Sequence, residues 1–235
     1  MKLAILVIII IILFFFSYSI VENFDLKFVH IPKNAGTSIE NAALKHNIKW
    51  GFRDWTKKKD NKLLENSWDA YKSNGPWINR STNKLNNRGS CNPWHKTPDD
   101  LGRDYYKTDD DLFCVVRNPY DKIVSSYKYK FRNGSSKEGL NKFIKEMLTD
   151  FSSNERWNGC HILPQHKYTH GNIKCDNILK FENLDSDFKK LLSKYDLNSN
   201  IELKKNNKSK SSVSKDDLTQ ESKDLIYKVY KKDFE

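Results

Sequence analysis

Two segments of this chain repeat one local pattern. In each, a short apolar run passes through a polar turn that carries a cation and continues into a stretch of helical periodicity. The first is Phe28-Val29-His30-Ile31-Pro32-Lys33-Asn34-Ala35-Gly36-Thr37-Ser38. The second is Phe113-Cys114-Val115-Val116-Arg117-Asn118-Pro119-Tyr120-Asp121-Lys122-Ile123-Val124-Ser125. A short apolar run bounded by turn residues reads as a buried strand. Strands that alternate with helices along the whole chain predict a three-layer α/β domain around a parallel sheet. Ligands of such sheets bind at the carboxyl ends of the strands, where both turns fall. The amides and positive dipole end of a helix start attract an anion. Two such turns therefore suit one ligand with two phosphate-like groups, a nucleotide phosphorylated at both ends.

The residue chemistry sharpens this. Lys33 precedes Gly36, whereas a nucleotide-binding lysine of the G-x-x-x-x-G-K-[ST] type follows its glycines, and no such sequence exists here. An ATP-binding P-loop is thus disfavoured. Gly36 lets backbone approach an oxyanion closely. Thr37 and Ser38 offer hydroxyls and amides, with Thr37 the expected cap of a helix from Ser38 to about His46 and Glu40 in its first turn. Arg117 offers a planar fork to phosphate. Asn118 caps, and Pro119 opens, a helix whose buried face is Tyr120, Ile123, Val124, Tyr127 and Phe131, leaving Ser125 off that face. Further along, the pattern predicts a helix over 138–150, a strand and turn over 178–184, a helix over 184–195, a basic low-complexity loop over 204–215 and a closing helix over 218–230.

These two segments resemble the cofactor signature of sulfotransferases that use 3′-phosphoadenosine 5′-phosphosulfate. The first is similar to their 5′-phosphosulfate loop, near P-K-x-G-T-[ST]. The second is similar to their 3′-phosphate motif R-N-P-x-[DE]-[RK]-x-x-S. Pro164-Gln165, Cys175 and Leu179-Lys180-Phe181-Glu182-Asn183-Leu184 extend the resemblance, and membrane-anchored, Golgi-type carbohydrate sulfotransferases are the nearest in kind. The resemblance implies a P-loop-like domain over residues 22–235. It also implies that Lys33, Asn34, Ala35, Gly36, Thr37 and Ser38 hold the phosphosulfate, that Arg117 and Ser125 hold the 3′-phosphate, and that Lys33 meets charge on the leaving phosphate. No metal is implied.

The acceptor hydroxyl needs a base, and histidine suits that task near neutral pH. His95, in Ser90-Cys91-Asn92-Pro93-Trp94-His95-Lys96-Thr97-Pro98, stands in the loop between the motifs where related enzymes place a base; Glu40 and His166 are the alternatives. Trp77 and Trp94 are candidate sugar-stacking platforms. The expected reaction is transfer of a sulfonate to a carbohydrate hydroxyl. The competing readings are a tyrosyl-protein or small-molecule sulfotransferase and an inactive glycan-binding relative.

Residues 1–21 are uncharged but for Lys2 and apolar over residues 3–16, long enough at about 20 residues to span a bilayer. They form a signal anchor of a type II membrane protein or a cleaved signal peptide, and both place the rest in a Golgi-like lumen or outside the cell. The net charge of +11 calls for an anionic partner. The luminal address turns that toward a glycan acceptor, possibly anionic, rather than nucleic acid. Of the four cysteines, Cys114 reads as a buried thiol, Cys160 and Cys175 as a pair, and Cys91 as unpartnered. Asn79, Asn133 and Asn207 head glycosylation sequons.

Overall fold

Leu26–Val29, Asp111–Val116 and Asn177–Lys180 form strands β1, β2 and β3 of a parallel sheet with β2 in the centre. The register sets Phe28 beside Phe113, Val29 beside Cys114, and Val115 beside Leu179. In this computed structural model the described residues are 26–46, 48, 50–51, 91–132, 134–204, 209 and 211–235. The apolar N-terminal segment, Trp77 and the sequon residues Asn79, Asn133 and Asn207 lie outside them. Among the described residues, no helix is long and apolar enough to cross a membrane.

Side chains alternate across a strand, so the apolar runs load both faces of the sheet. Leu26, Phe28, Phe113, Val115 and Leu179 face one way, against helix α1 (Gly36–Lys45) and helix α4 (Leu184–Lys194). Each helix meets them with an i, i+3, i+4 stripe: Ile39, Ala42 and Ala43 from α1, Phe188, Leu191 and Leu192 from α4. Burial of a Phe or Leu in such a stripe contributes about 1.5–3 kcal/mol. Val29, Leu112 and Cys114 face the other way, where irregular chain covers them instead of long helices: Cys91, Leu101 and Tyr106 from one segment, Cys160, Leu163, Tyr168 and Ile173 from another. A third cluster joins α2 (Pro119–Lys130), α3 (Lys137–Thr149) and α5 (Gln220–Phe234) through Ile123, Tyr127, Ile144, Ile226 and Tyr230.

The helix boundaries follow the sequence reading, except that the closing helix read over 218–230 runs from Gln220 to Phe234 and two local details differ. Helix α1 starts at Gly36, because Ala35 adopts φ 64° and becomes the cap position, so Thr37 does not cap and Glu40 is buried beyond the first turn. On α2, Asn118 Oδ1 accepts from the amides of Tyr120 and Asp121 and Pro119 opens the helix, as read. Phe131, however, is 41% exposed, and Lys122 and Ser126 take places on the buried face.

The cysteines pair differently from the expectation. The disulfides are Cys91–Cys160 and Cys114–Cys175. Cys114 points to the face over which Cys175 passes on its way into β3, and Cys160 is drawn to the loop of Cys91 on that same face. The Cys91–Cys160 bridge closes 69 residues of chain. Loop-closure entropy then predicts that replacing both by alanine lowers the unfolding free energy by about 2–5 kcal/mol. Urea denaturation checks this, and an unchanged midpoint would refute it.

Candidate functional site

Parallel pairing of β1 with β2 sets the two cation-bearing turns side by side at the carboxyl edge of the sheet. The turns touch directly: Arg117 Nη1 donates to the carbonyl of Lys33 at 3.4 Å. The first turn is tightly wound, with Lys33 at φ 70° and Ala35 at φ 64°. A left-handed conformation is unfavourable for residues with a Cβ and persists only where surroundings enforce it. Gly36 is enforced sterically, since a Cβ there would come within 2.2 Å of His30 Nε2. The helix start at Ala35 carries no side-chain cap, and Thr37 and Ser38 lie half-buried in its first turn.

Gln165 braces both turns. Its Oε1 accepts from Asn34 Nδ2 at 2.6 Å and from the Arg117 amide at 2.8 Å, and its Nε2 donates to the Arg117 carbonyl at 2.8 Å. Asn34 Nδ2 also donates to the Val115 carbonyl at 2.7 Å. Asn34 is therefore an interior brace whose side chain faces the protein. Gln165 is fixed in turn by Asp233 of α5, which accepts from the amides of Gln165 and His166 and from His166 Nδ1. That bond engages His166 as a structural partner of the C-terminal helix.

The turns concentrate positive charge. Burial, then Arg117 and Arg132, push Lys33 down to about 8. Its Nζ lies over the Tyr129 ring at 4.1 Å, and the Arg117 guanidinium over Phe181 at 4.1 Å. Burial lowers Arg117 as well, against the pull of Asp121 and Glu182, and its Nε is buried with no hydrogen-bond partner among the described residues. Ser125 is half-buried on α2, nearly two turns beyond Pro119. A desolvated cluster of cations with an unused guanidinium donor is stabilised by a bound polyanion, and a doubly phosphorylated nucleotide meets that requirement.

Beside the turns stand three imidazoles in edge contact. The rings of His30 and His95 are 5.0 Å apart, and those of His95 and His161 are 5.1 Å apart. Their hydrogen bonds fix the tautomers. His95 Nδ1 faces the Gly159 carbonyl at 2.9 Å, which can only accept, so Nδ1 carries the proton and Nε2 the lone pair. His30 Nδ1 likewise donates to Glu40 Oε1 at 3.0 Å, which fixes Glu40 as a buried support for His30. His161 Nδ1 faces Asn158 Nδ2, a donor, so its Nε2 bears the hydrogen. Burial above all holds His95 well below the usual histidine range, with His30, His161 and Lys33 adding to the effect, and burial takes His161 to about 3. Both rings are neutral at pH 7, one an acceptor and its neighbour a donor. Trp94 is half-buried with its ring 5.9 Å from that of His95.

Sequence reading missed Gln165 as a brace, His161 and Lys122. Lys122 is fully buried, pushed down to about 8 by burial, and donates to the carbonyls of His161 and Leu163 at 3.0 and 2.9 Å. Its place within the second motif was the available signal.

A sulfotransferase family model matches residues 17–235. The match covers most of the chain, which belongs to the sulfotransferase family and is a sulfotransferase. No curated protein and no solved structure matches it.

Gln165→Leu leaves Asn34 Nδ2 one acceptor short and both Arg117 backbone groups without their carboxamide partners. Buried groups stripped of a partner cost about 1–3 kcal/mol each. The variant is expected to lose at least about 2 kcal/mol of stability, and to bind a bisphosphorylated nucleotide more weakly. Chemical denaturation and titration calorimetry measure both, and a wild-type result in either overturns the bracing role.

Proposed function

We propose that this protein transfers a sulfonate from 3′-phosphoadenosine 5′-phosphosulfate to a carbohydrate hydroxyl, in an oxidising lumen to which residues 1–21 anchor it. The observation that carries the reading is the direct contact of two cation-bearing turns at neighbouring parallel strand ends, with a neutral, lone-pair-bearing His95 beside them. Two disulfides are in keeping with such a compartment.

When bound, the donor supplies the sulfonate that passes to the acceptor hydroxyl, leaving adenosine 3′,5′-bisphosphate. Lys33, with Ala35, Gly36, Thr37 and Ser38 of the α1 start and the Asn34 backbone, takes the 5′ end. Arg117 and Ser125 take the 3′-phosphate. Lys33 would meet the charge that builds on the leaving phosphate, and a charge held ready there lowers the barrier without reorganisation. His95 Nε2 receives the proton of the attacking hydroxyl, and the Gly159 carbonyl, bonded to Nδ1–H, steadies the imidazolium that forms.

Two tests follow from these roles. Adenosine 3′,5′-bisphosphate should raise the melting temperature more than ADP or ATP does, because only it fills both turns. Its binding strengthens as Lys33 is protonated, so affinity falls as pH rises through about 8. Near and above that pH, binding takes up protons, visible as a dependence of calorimetric heat on buffer ionisation. Equal stabilisation by ATP, or no proton uptake, contradicts the assignment.

His95→Ala should cut kcat by about two to four powers of ten, the scale of general-base catalysis, with cofactor affinity unchanged. In the wild type the acid limb of the rate profile should lie below pH 6.5, because His95 stays neutral well below its ordinary value. A variant that keeps more than about a tenth of wild-type kcat excludes His95 as the base.

A further inference from the structure

We propose that the Cys91–Cys160 disulfide positions His95: it clamps the turn whose carbonyl fixes the tautomer of that ring, so that transfer depends on the oxidation state of this one cystine. This deepens the sulfonate-transfer reading and rests on it for the role of His95.

The clamped turn is the first observation. Asn158, Gly159 and Cys160 stand in succession at φ 49°, 71° and 74°. Glycine and asparagine enter the left-handed region readily, but cysteine does not, and L-residues adopt it singly rather than in runs. Such a run persists only where its surroundings impose it. Here Asn158 Nδ2 donates to His161 Nδ1 at 3.2 Å, and Gly159 packs on Asn92, where a Cβ would come within 2.5 Å of Nδ2. Cys160, the residue least suited to the conformation, is held covalently.

The second observation is that the same two segments are joined twice. From Cys91 the chain makes one turn to His95, whose amide donates to the Asn92 carbonyl at 2.8 Å. His95 Nδ1 then donates to the Gly159 carbonyl at 2.9 Å, and the next residue, Cys160, returns to Cys91 through sulfur. Cutting the covalent link releases Cys160 from its left-handed setting and turns the adjacent Gly159 carbonyl away from Nδ1. A neutral imidazole without an acceptor at Nδ1 shifts toward the Nε2–H form, which has no lone pair to offer the attacking hydroxyl. The bridge forms as two thiols pass two protons and two electrons to a disulfide oxidant, which leaves as two thiols. That step completes the proton acceptor.

The other cystine supplies the comparison. Cys114–Cys175 lies over the same face of the sheet and closes 61 residues against 69, so loop closure gives the two bridges nearly equal weight in stability. Its Cys175 sulfur sits 3.8 and 3.5 Å from the Leu112 and Asn177 carbonyls, at the strands.

The test uses the full-length protein in detergent micelles, with ¹⁵N in its histidine rings. Long-range ¹H–¹⁵N correlation separates Nδ1–H from Nε2–H, and the His95→Ala variant assigns the His95 signals. Wild type should show the Nδ1–H form. Replacing Cys91 and Cys160 together by alanine should move His95 toward Nε2–H and lower kcat at least about a hundredfold, the low end of general-base catalysis. Transfer is read with labelled donor and a mixture of desulfated glycans, and affinity for adenosine 3′,5′-bisphosphate should not change. Replacing Cys114 and Cys175 by alanine should cost similar stability yet leave the tautomer and kcat as in wild type. Gly159→Val keeps both bridges but cannot hold φ 71°, and should reproduce the tautomer shift even where the Cys91/Cys160 variant does not fold. The proposal falls if either His95-side variant retains the Nδ1–H form, or if kcat falls equally in the two cysteine-pair variants. A bridge-dependent tautomer with unimpaired transfer by His95→Ala would uphold the clamp and sink the assignment of His95 as base alone.

Discussion

One primary carboxamide holds the two halves of the site in register. Parallel strand pairing brings the turns after β1 and β2 within reach, but backbone pairing ends at the strand edge and leaves turn residues free to diverge. Gln165 closes that gap by accepting from Asn34 and from the Arg117 amide while donating to the Arg117 carbonyl. It is 2% exposed, so its bonds form where water does not compete. Asp233 fixes Gln165 from behind, which makes the C-terminal helix a part of the site's foundation.

Two lysines in this protein are pushed down to about 8, both chiefly by burial, but their neighbours differ. Lys122 is buried among protein acceptors, with two carbonyls on its ammonium and Asp233 nearby to oppose the shift. Its charge is spent inside, tying α2 to the 161–163 segment. Lys33 is shifted by burial together with other cations, Arg117 and Arg132. A cation lowered by like charges gains from an anionic ligand, whereas one already satisfied by carbonyls does not. The same displacement therefore accompanies a structural tie in one case and a cluster of like charges in the other.

The His95 corner is rigid by construction. The His95 ring donates to Gly159, its backbone carbonyl accepts from Tyr168, and the loops on either side are joined by Cys91–Cys160. A proton acceptor must hold a fixed direction and a fixed tautomer to serve. Both are secured by groups whose own positions depend on packing over the second face of the sheet.

The sequence by itself determined the parallel α/β frame, the helix starts at Asn118 and near Gly36, and the placing of one cation, Lys33 or Arg117, at each turn. These are local matters: strand runs, cap residues and a cation at a turn act on neighbours a few positions away, so spacing reveals them. The disulfide partners, Gln165, His161 and the burial of Glu40 and Lys122 were decided only by tertiary structure. Each depends on segments far apart in sequence meeting on one face of the sheet, as when Gln165 meets Asn34 across 131 positions. A hydrogen bond or a thiol pair of that span leaves no periodic trace, because its geometry exists only after the chain has folded. Even Gly36, legible as a glycine at an anion turn, owes its small size to the ring of His30 packed against it.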